Sequence, residues 1–252
     1  PTAFSPIPIL NPDKGLRNIR TRGGSEALGE RLALSEKLSS FFSNRYPDQN
    51  VKSYREFYDN TLRLLKSKDL DSFDLGKEPA AMREKYGLSK FGQGCLLARR
   101  LVETGVRYVE VATDGWDMHN NLQGDMEDLS PSFDQAYAAL ISDLDQRGML
   151  DSTLVVLATE FGRKPQFNGN GRGHYPICFC SVLAGGGVKR GFVYGASDKE
   201  GAYPEDPVTV HDLHATIGWA AGLPLKNEVL SSTGRPFVVG GAKAKPVMGL
   251  FA

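Results

Sequence analysis

The hydrophobic period of this chain changes near residue 105, and one kind of secondary structure cannot serve both sides of that point. Before it, apolar residues recur at helical spacing. Leu28, Leu32, Leu34, Leu38, Phe41 and Phe42 follow Ser25, and Tyr54, Phe57, Tyr58, Leu62 and Leu65 form a second stripe within 51–66. Such aromatic stripes usually face a core. The spacing predicts two more helices, over 78–86 and 91–103. After it, Val106–Ala112 is short, β-branched and bounded by Gly105 and Asp114-Gly115, which reads as a strand. Thr153–Ala158 is an uninterrupted apolar run, the kind buried on both faces of a parallel sheet, and 176–183 is another, ending in Gly185-Gly186-Gly187. Ser130-Pro131 predicts a helix running to about Arg147, and Thr209 with Asp212 makes the capping pattern of a last helix. Strands alternating with helices predict an α/β fold, a mostly parallel sheet flanked by helices, with a helical segment at 25–88 ahead of a sheet core at 89–252. Residues 1–24, punctuated by Pro6, Pro8, Pro12, Gly15 and Gly23, read as an extended arm.

Charge and hydropathy remove several functions. Thirty Lys and Arg balance thirty Asp and Glu among 252 residues, which argues against a chain built to wrap nucleic acid or to lie on an anionic membrane. No apolar run approaches the ~18–20 residues of a membrane span. The opening PTAFSPIPIL shows no leader, so the chain is expected to be either processed or part of a longer product. Three cysteines are too few for a disulfide framework, and Cys178 and Cys180, two apart, read as buried strand residues before they read as a metal pair.

Chemistry gathers where the predicted strands end. After Ala112 comes TDGWDMHNN, after Ala158 comes TEFGR, and a glycine-rich turn at 168–173 leads into His174-Tyr175-Pro176. Asp117, His119, Glu160 and His174 are the donor types that a catalytic zinc or related divalent ion takes. Asp-x-His alone is a weak pattern, Arg163 is placed to satisfy Glu160 as a plain ion pair, and convergence of three loops is what raises these residues above chance. His211 and His214 lie one helical turn apart, but Asp212 between them reads as a cap. AGGGVKRG lacks the phosphate-loop spacing and reads as a turn.

Taken together, GWDMHNN, TEFGRKPQFNGNGRGHYP, LAGGGVKRGFVYGASD and VTVHDLHATIGWAAGLP resemble the bacterial sulfatase-like proteins of unknown function in the alkaline-phosphatase superfamily. FGQGCLLARRLVETGVRYVEV fits the same family, and the similarity is collinear from about Ser25 to Pro224. The resemblance implies an alkaline-phosphatase-like sheet, of which 25–252 would be the C-terminal part, and hydrolysis of a phosphate or sulfate ester, small-molecule or glycan. It implies one divalent ion on Asp117, His119 and His174, completed or bridged by Glu160, with zinc favoured and calcium or manganese as alternatives. Glu160 and Arg163 become the catalytic candidates, Arg163 for the substrate oxyanion. The superfamily's Asp-His-Gly reads Glu160-Phe161-Gly162 here, and Phe161 is no histidine ligand. Gly173 stands where the family form has an Asp, and no nucleophile segment is found ahead of residue 25. Export is expected by resemblance. The rival expectation is a non-catalytic binding protein.

Overall fold

The computed structural model describes residues 6–17, 19, 23–46, 48–231, 233–238 and 240–252. The chain divides into two compact units, Pro1–Arg83 and Glu84–Ala252. Of the arm expected over 1–24, residues 1–5, 18 and 20–22 lie outside the described residues. Within the remainder, Pro12–Lys14 forms one 3-10 turn, capped by the Asn11 side chain, which accepts the Asp13 N–H at 3.0 Å.

In the first unit, α1 (Gly24–Arg45) and α2 (Gln49–Lys66) follow the predicted stripes. An ion pair between Arg55 and Glu36 joins the two helices. The stripes are wider than two helices can cover. Leu28, Leu32, Leu62 and Leu65 are half-buried, whereas Leu34, Leu38, Phe41, Tyr54 and Phe57 are exposed. The expectation that these aromatics line a core is therefore corrected: a two-helix hairpin buries only the narrow seam between its members.

The core of the second unit is a helix pair. It follows α3 (Ala80–Lys85), which ends the first unit and begins the second, and consists of α4 (Lys90–Glu103) and α5 (Leu122–Gln146). Ser89 caps α4 by accepting the Gly92 N–H at 3.0 Å, and it is tied to α5 through the Ser132 hydroxyl at 2.8 Å. From α4, Cys95, Leu96, Leu97, Ala98 and Leu101 are buried; Ala136, Ala139 and Leu144 meet them from α5. Burial pushes the Cys95 thiol up to about 12, so it acts as a packed apolar group. α5 begins at Leu122, well before the predicted start, and carries Pro131 in its interior. Proline disfavours helix in the residue ahead of it, but Phe133, stacked on Phe91 at 5.3 Å and on Tyr137 at 5.8 Å, packs this segment as helix.

A ring of charge closes the pair. Arg99, only 1% exposed, forms an ion pair with Asp143 (2.9 Å) and donates to Glu103 (2.6 Å), and Arg147 donates to the same two carboxylates at 2.8 and 2.9 Å. The Tyr86 hydroxyl donates a second hydrogen bond to Asp143 at 3.0 Å.

The alkaline-phosphatase-like, mostly parallel sheet is not formed. The described residues hold four two-stranded sheets, every one antiparallel. β1 (Val155–Leu157) pairs with β4 (Val182–Ala184), and β2 (Gly162–Arg163) with β3 (His174–Tyr175). β5 (Ala196–Ser197) pairs with β6 (Pro204–Glu205), and β7 (Glu228–Leu230) with β8 (Pro236–Val238). Two physical reasons account for the difference. Parallel neighbours need a crossover, usually a helix, and the segment joining β1 to β4 is instead the β2–β3 hairpin, which doubles back. Val106–Ala112 also finds no ladder: Val106 bonds back to the end of α4 through Leu101 O at 3.0 Å, and Tyr108 is 74% exposed. The strand expected over 176–183 shortens to Val182–Ala184, which leaves Cys178 half-buried and Cys180 exposed, both outside any strand. Gly185, Gly186 and Gly187 do make a turn, each with positive φ. The last helix, α6 (Val210–Ala220), starts on the predicted cap. Thr209 Oγ1 accepts the Asp212 N–H at 3.1 Å, and Asp212 returns the bond at 3.3 Å.

Asp143 gives the core a definite acid response. Burial raises its pKa, but the Arg147 and Tyr86 hydrogen bonds and the charges of Arg99 and Arg147 more than offset it, leaving the carboxyl below its ordinary value. A depressed carboxyl contributes stability that is complete above the ordinary carboxylate value near ~3.9 and is lost as pH falls through the folded value. Asp143→Asn is expected to cost about 1.5–3 kcal/mol at neutral pH, the range for a hydrogen bond to a charged group, since Arg99 keeps Glu103. Urea unfolding from pH 7 to pH 2.5 should show the two proteins converging only below about pH 4; a constant difference throughout would contradict the assignment.

Candidate metal centre

The loop at 116–121 takes its shape from alternate side chains. Trp116 lays its ring edge-on against Phe133 of α5 at 5.5 Å, and Met118 is buried. Residues two apart in an extended segment share a face, so Asp117 and His119 turn outward, and both are exposed. Backbone bonds fasten this loop to the glycine-rich turn. Arg172 N–H donates to Met118 O at 3.1 Å, and Leu122 N–H donates to Asn170 O at 2.9 Å. At the crossing Gly171 is buried, and a Cβ there would stand 2.0 Å from the backbone carbonyl of His119. Only glycine allows the two chains so close. The same turn delivers His174 on β3, opposite Arg163 on β2, with Lys164 N–H donating to Gly173 O at 2.8 Å.

Three Lewis-basic atoms converge as a result. Asp117 Oδ1 lies 2.8 Å from His174 Nε2 and 3.0 Å from His119 Nε2, and the two nitrogens are 3.1 Å apart. Arg163 donates to the same Oδ1. Hydrogen bonds from His174 and then Arg163 hold the Asp117 carboxyl below the usual carboxylate range. Phe161 backs the arrangement, with its ring 4.5 Å from that of His174 and 5.5 Å from the Arg163 guanidinium carbon.

These residues fit a metal ion. Ligands at ~2.0–2.1 Å in a tetrahedron are separated by about 3.3 Å, so the triangle needs only slight widening. Asp117, His119 and His174 could hold a metal ion, and they form the one such group of His, Cys, Asp and Glu among the described residues. Glu160 is not brought in. Phe161 and Arg163, two apart, both reach the site, whereas Glu160 beside Phe161 is exposed, and its carboxylate makes no hydrogen bond or ion pair among the described residues. Arg163 accordingly pairs with Asp117 rather than with Glu160. Cys178, Cys180, His211 and His214 also stay outside the cluster.

The family described as "Protein of unknown function (DUF1501)" matches residues 1–251. The chain belongs to the DUF1501 family. No curated protein and no solved structure matches it. Among the described residues of this DUF1501 chain, no helix is long and apolar enough to cross a membrane.

Sequence reasoning about this DUF1501 site missed Gly171 and Trp116, because both act through backbone placement. By residue type Phe161 is only a lost ligand, although it packs the histidine and the arginine together. Gly171→Ala should push the His119 loop off the turn, so that a metal ion held by the trio binds about 10–100-fold more weakly, the loss typical when groups that orient ligands are disturbed. Chelator competition measures this, with the helical circular dichroism signal unchanged; equal affinity in the variant would show that the crossing does not hold the site.

Proposed function

We propose that this chain carries the metal centre of a hydrolase acting on a phosphate or sulfate ester, small-molecule or glycan. The observation that supports it is a single carboxylate, Asp117, shared by two histidines and an arginine in an exposed loop cluster. Asp117, His119 and His174 would hold one divalent ion, and such an ion supplies a Lewis acid at the ester oxygen. Two imidazoles favour zinc, with manganese next; calcium seeks six to eight oxygen ligands. Arg163, kept in place by the Phe161 ring, offers a planar fork of donors to the anionic oxygens of the ester. Glu160 is left without a ligand role and serves only as a nearby exposed carboxylate. The resemblance to exported sulfatase-like proteins supports an extracytoplasmic setting.

Phe161 favours a second reading, binding without turnover, since it occupies the position where the resemblance implies a histidine ligand. The test begins with elemental analysis after dialysis against a weak chelator. About one zinc per chain is expected, abolished by His119→Ala and by His174→Ala, and unchanged by Glu160→Gln. Turnover of aryl phosphates or aryl sulfates by the loaded chain then supports the hydrolase. One ion without turnover favours the binding reading, and a folded chain with no ion overturns the metal centre.

A further inference from the structure

Resting on the metal reading above, we infer that Arg163 is a switch: it pairs with Asp117 when the centre is empty and turns to a tetrahedral oxyanion when the centre is loaded, so that divalent ion and oxyanion bind cooperatively. Arg163 and the two imidazole nitrogens all meet one oxygen, Asp117 Oδ1. In the empty site the guanidinium is the cation that balances this carboxylate. A divalent ion drawing on the same oxygen confronts Arg163 with a like charge at short range, and the pairing loses its advantage. Loading also changes the local charge sum. One carboxylate and one guanidinium sum to zero; adding the ion leaves two positive charges within a few ångströms.

An oxyanion answers both effects. It takes the guanidinium fork through two parallel bonds, and its negative charge offsets the surplus. The guanidinium does not need to travel far. Phe161 lies beneath it, and its attachment on β2 is fixed by pairing with His174 on β3. Arg172 stiffens this base by donating to the backbone carbonyls of Arg163 and Lys164. The side chain of Arg163, half-buried against Phe161, therefore pivots on a firm strand with Asp117 within its reach.

Cooperativity of this kind is reciprocal and commonly amounts to 5–150-fold in affinity. The experiment titrates zinc by chelator competition with sodium sulfate or with sodium chloride at equal ionic strength, which holds screening constant. In the wild type, sulfate should tighten zinc at least about fivefold. Arg163→Gln should bind zinc more tightly than the wild type in chloride, because a competing cation is gone, and should lose the sulfate effect. Weaker zinc binding by Arg163→Gln, or a sulfate effect that survives the substitution, overturns the switch and makes Arg163 a group that orients Asp117. A measurement on the unaltered chain guards against a misfolded variant: the Arg163 Nε–H resonance should move with zinc and again with sulfate, and a resonance indifferent to both overturns the inference. Zinc bound through His174 without any sulfate effect sinks this inference alone; no zinc at all sinks the metal centre with it.

Discussion

The packing of α4 on α5 is the constraint from which the rest of the second unit follows. Its apolar part is modest, built from leucines and alanines with one buried thiol. Its polar part is demanding, because Arg99 and Asp143 are both buried and each would be costly to bury without its partner. The ring formed with Glu103 and Arg147 pairs both charges and fixes the register of the two helices. A continuous run of helix from that end carries the head of α5 to the other. Phe133 then stands where Trp116 can lean on it, and Leu122, at the head of α5, is where the glycine-rich turn makes its hydrogen bond. The ligand loop is thus suspended from a helix whose position is decided some distance away.

The site itself has little burial to strengthen its electrostatics. Asp117, His119 and His174 are all exposed, and exposed ion pairs are individually worth little. Geometry carries the arrangement instead. Met118 buried beneath the loop, Gly171 against the His119 carbonyl and Lys164 bonded to Gly173 fix the backbone on both sides. Side chains held by backbone spend less entropy on converging than they would on mobile loops, and convergence at one oxygen makes the cluster suited to a cation.

How much of this was legible in the sequence depends on the range of the interaction concerned. Helices α1, α2, α4 and α6 follow from local spacing and, for α6, from the Thr209–Asp212 cap, because the forces that define them act within one or two turns. The start of α5 at Leu122 is not legible locally for the complementary reason. Pro131 is a strong local signal against helix, and the ring packing of Phe133 that overrides it is tertiary. The parallel sheet failed at longer range still. An apolar run such as Val155–Leu157 states that a strand is favourable but not what it pairs with, and pairing with Val182–Ala184 is decided by a connection that turns back on itself. The ligand trio was legible because metal-binding chemistry restricts residue type severely. Glu160 satisfied that restriction equally well and stays outside the cluster, since residue type says nothing of which side of the chain a carboxylate faces.

That contrast bears on how sites of this kind arise. A parallel sheet would place Asp117, Glu160 and His174 together because each lies in a loop beside a predicted strand; the structure brings Asp117 and His174 together without that sheet. What joins them is a crossing of two loops sealed by Gly171, with Arg163 supplied by one short strand and Phe161 by the residue just ahead of it. A loop crossing needs no side-chain pattern, only a residue small enough to let two backbones touch. The chemistry was therefore readable from the side chains, whereas the scaffold was written in a glycine whose importance appears only when the second backbone is seen against it.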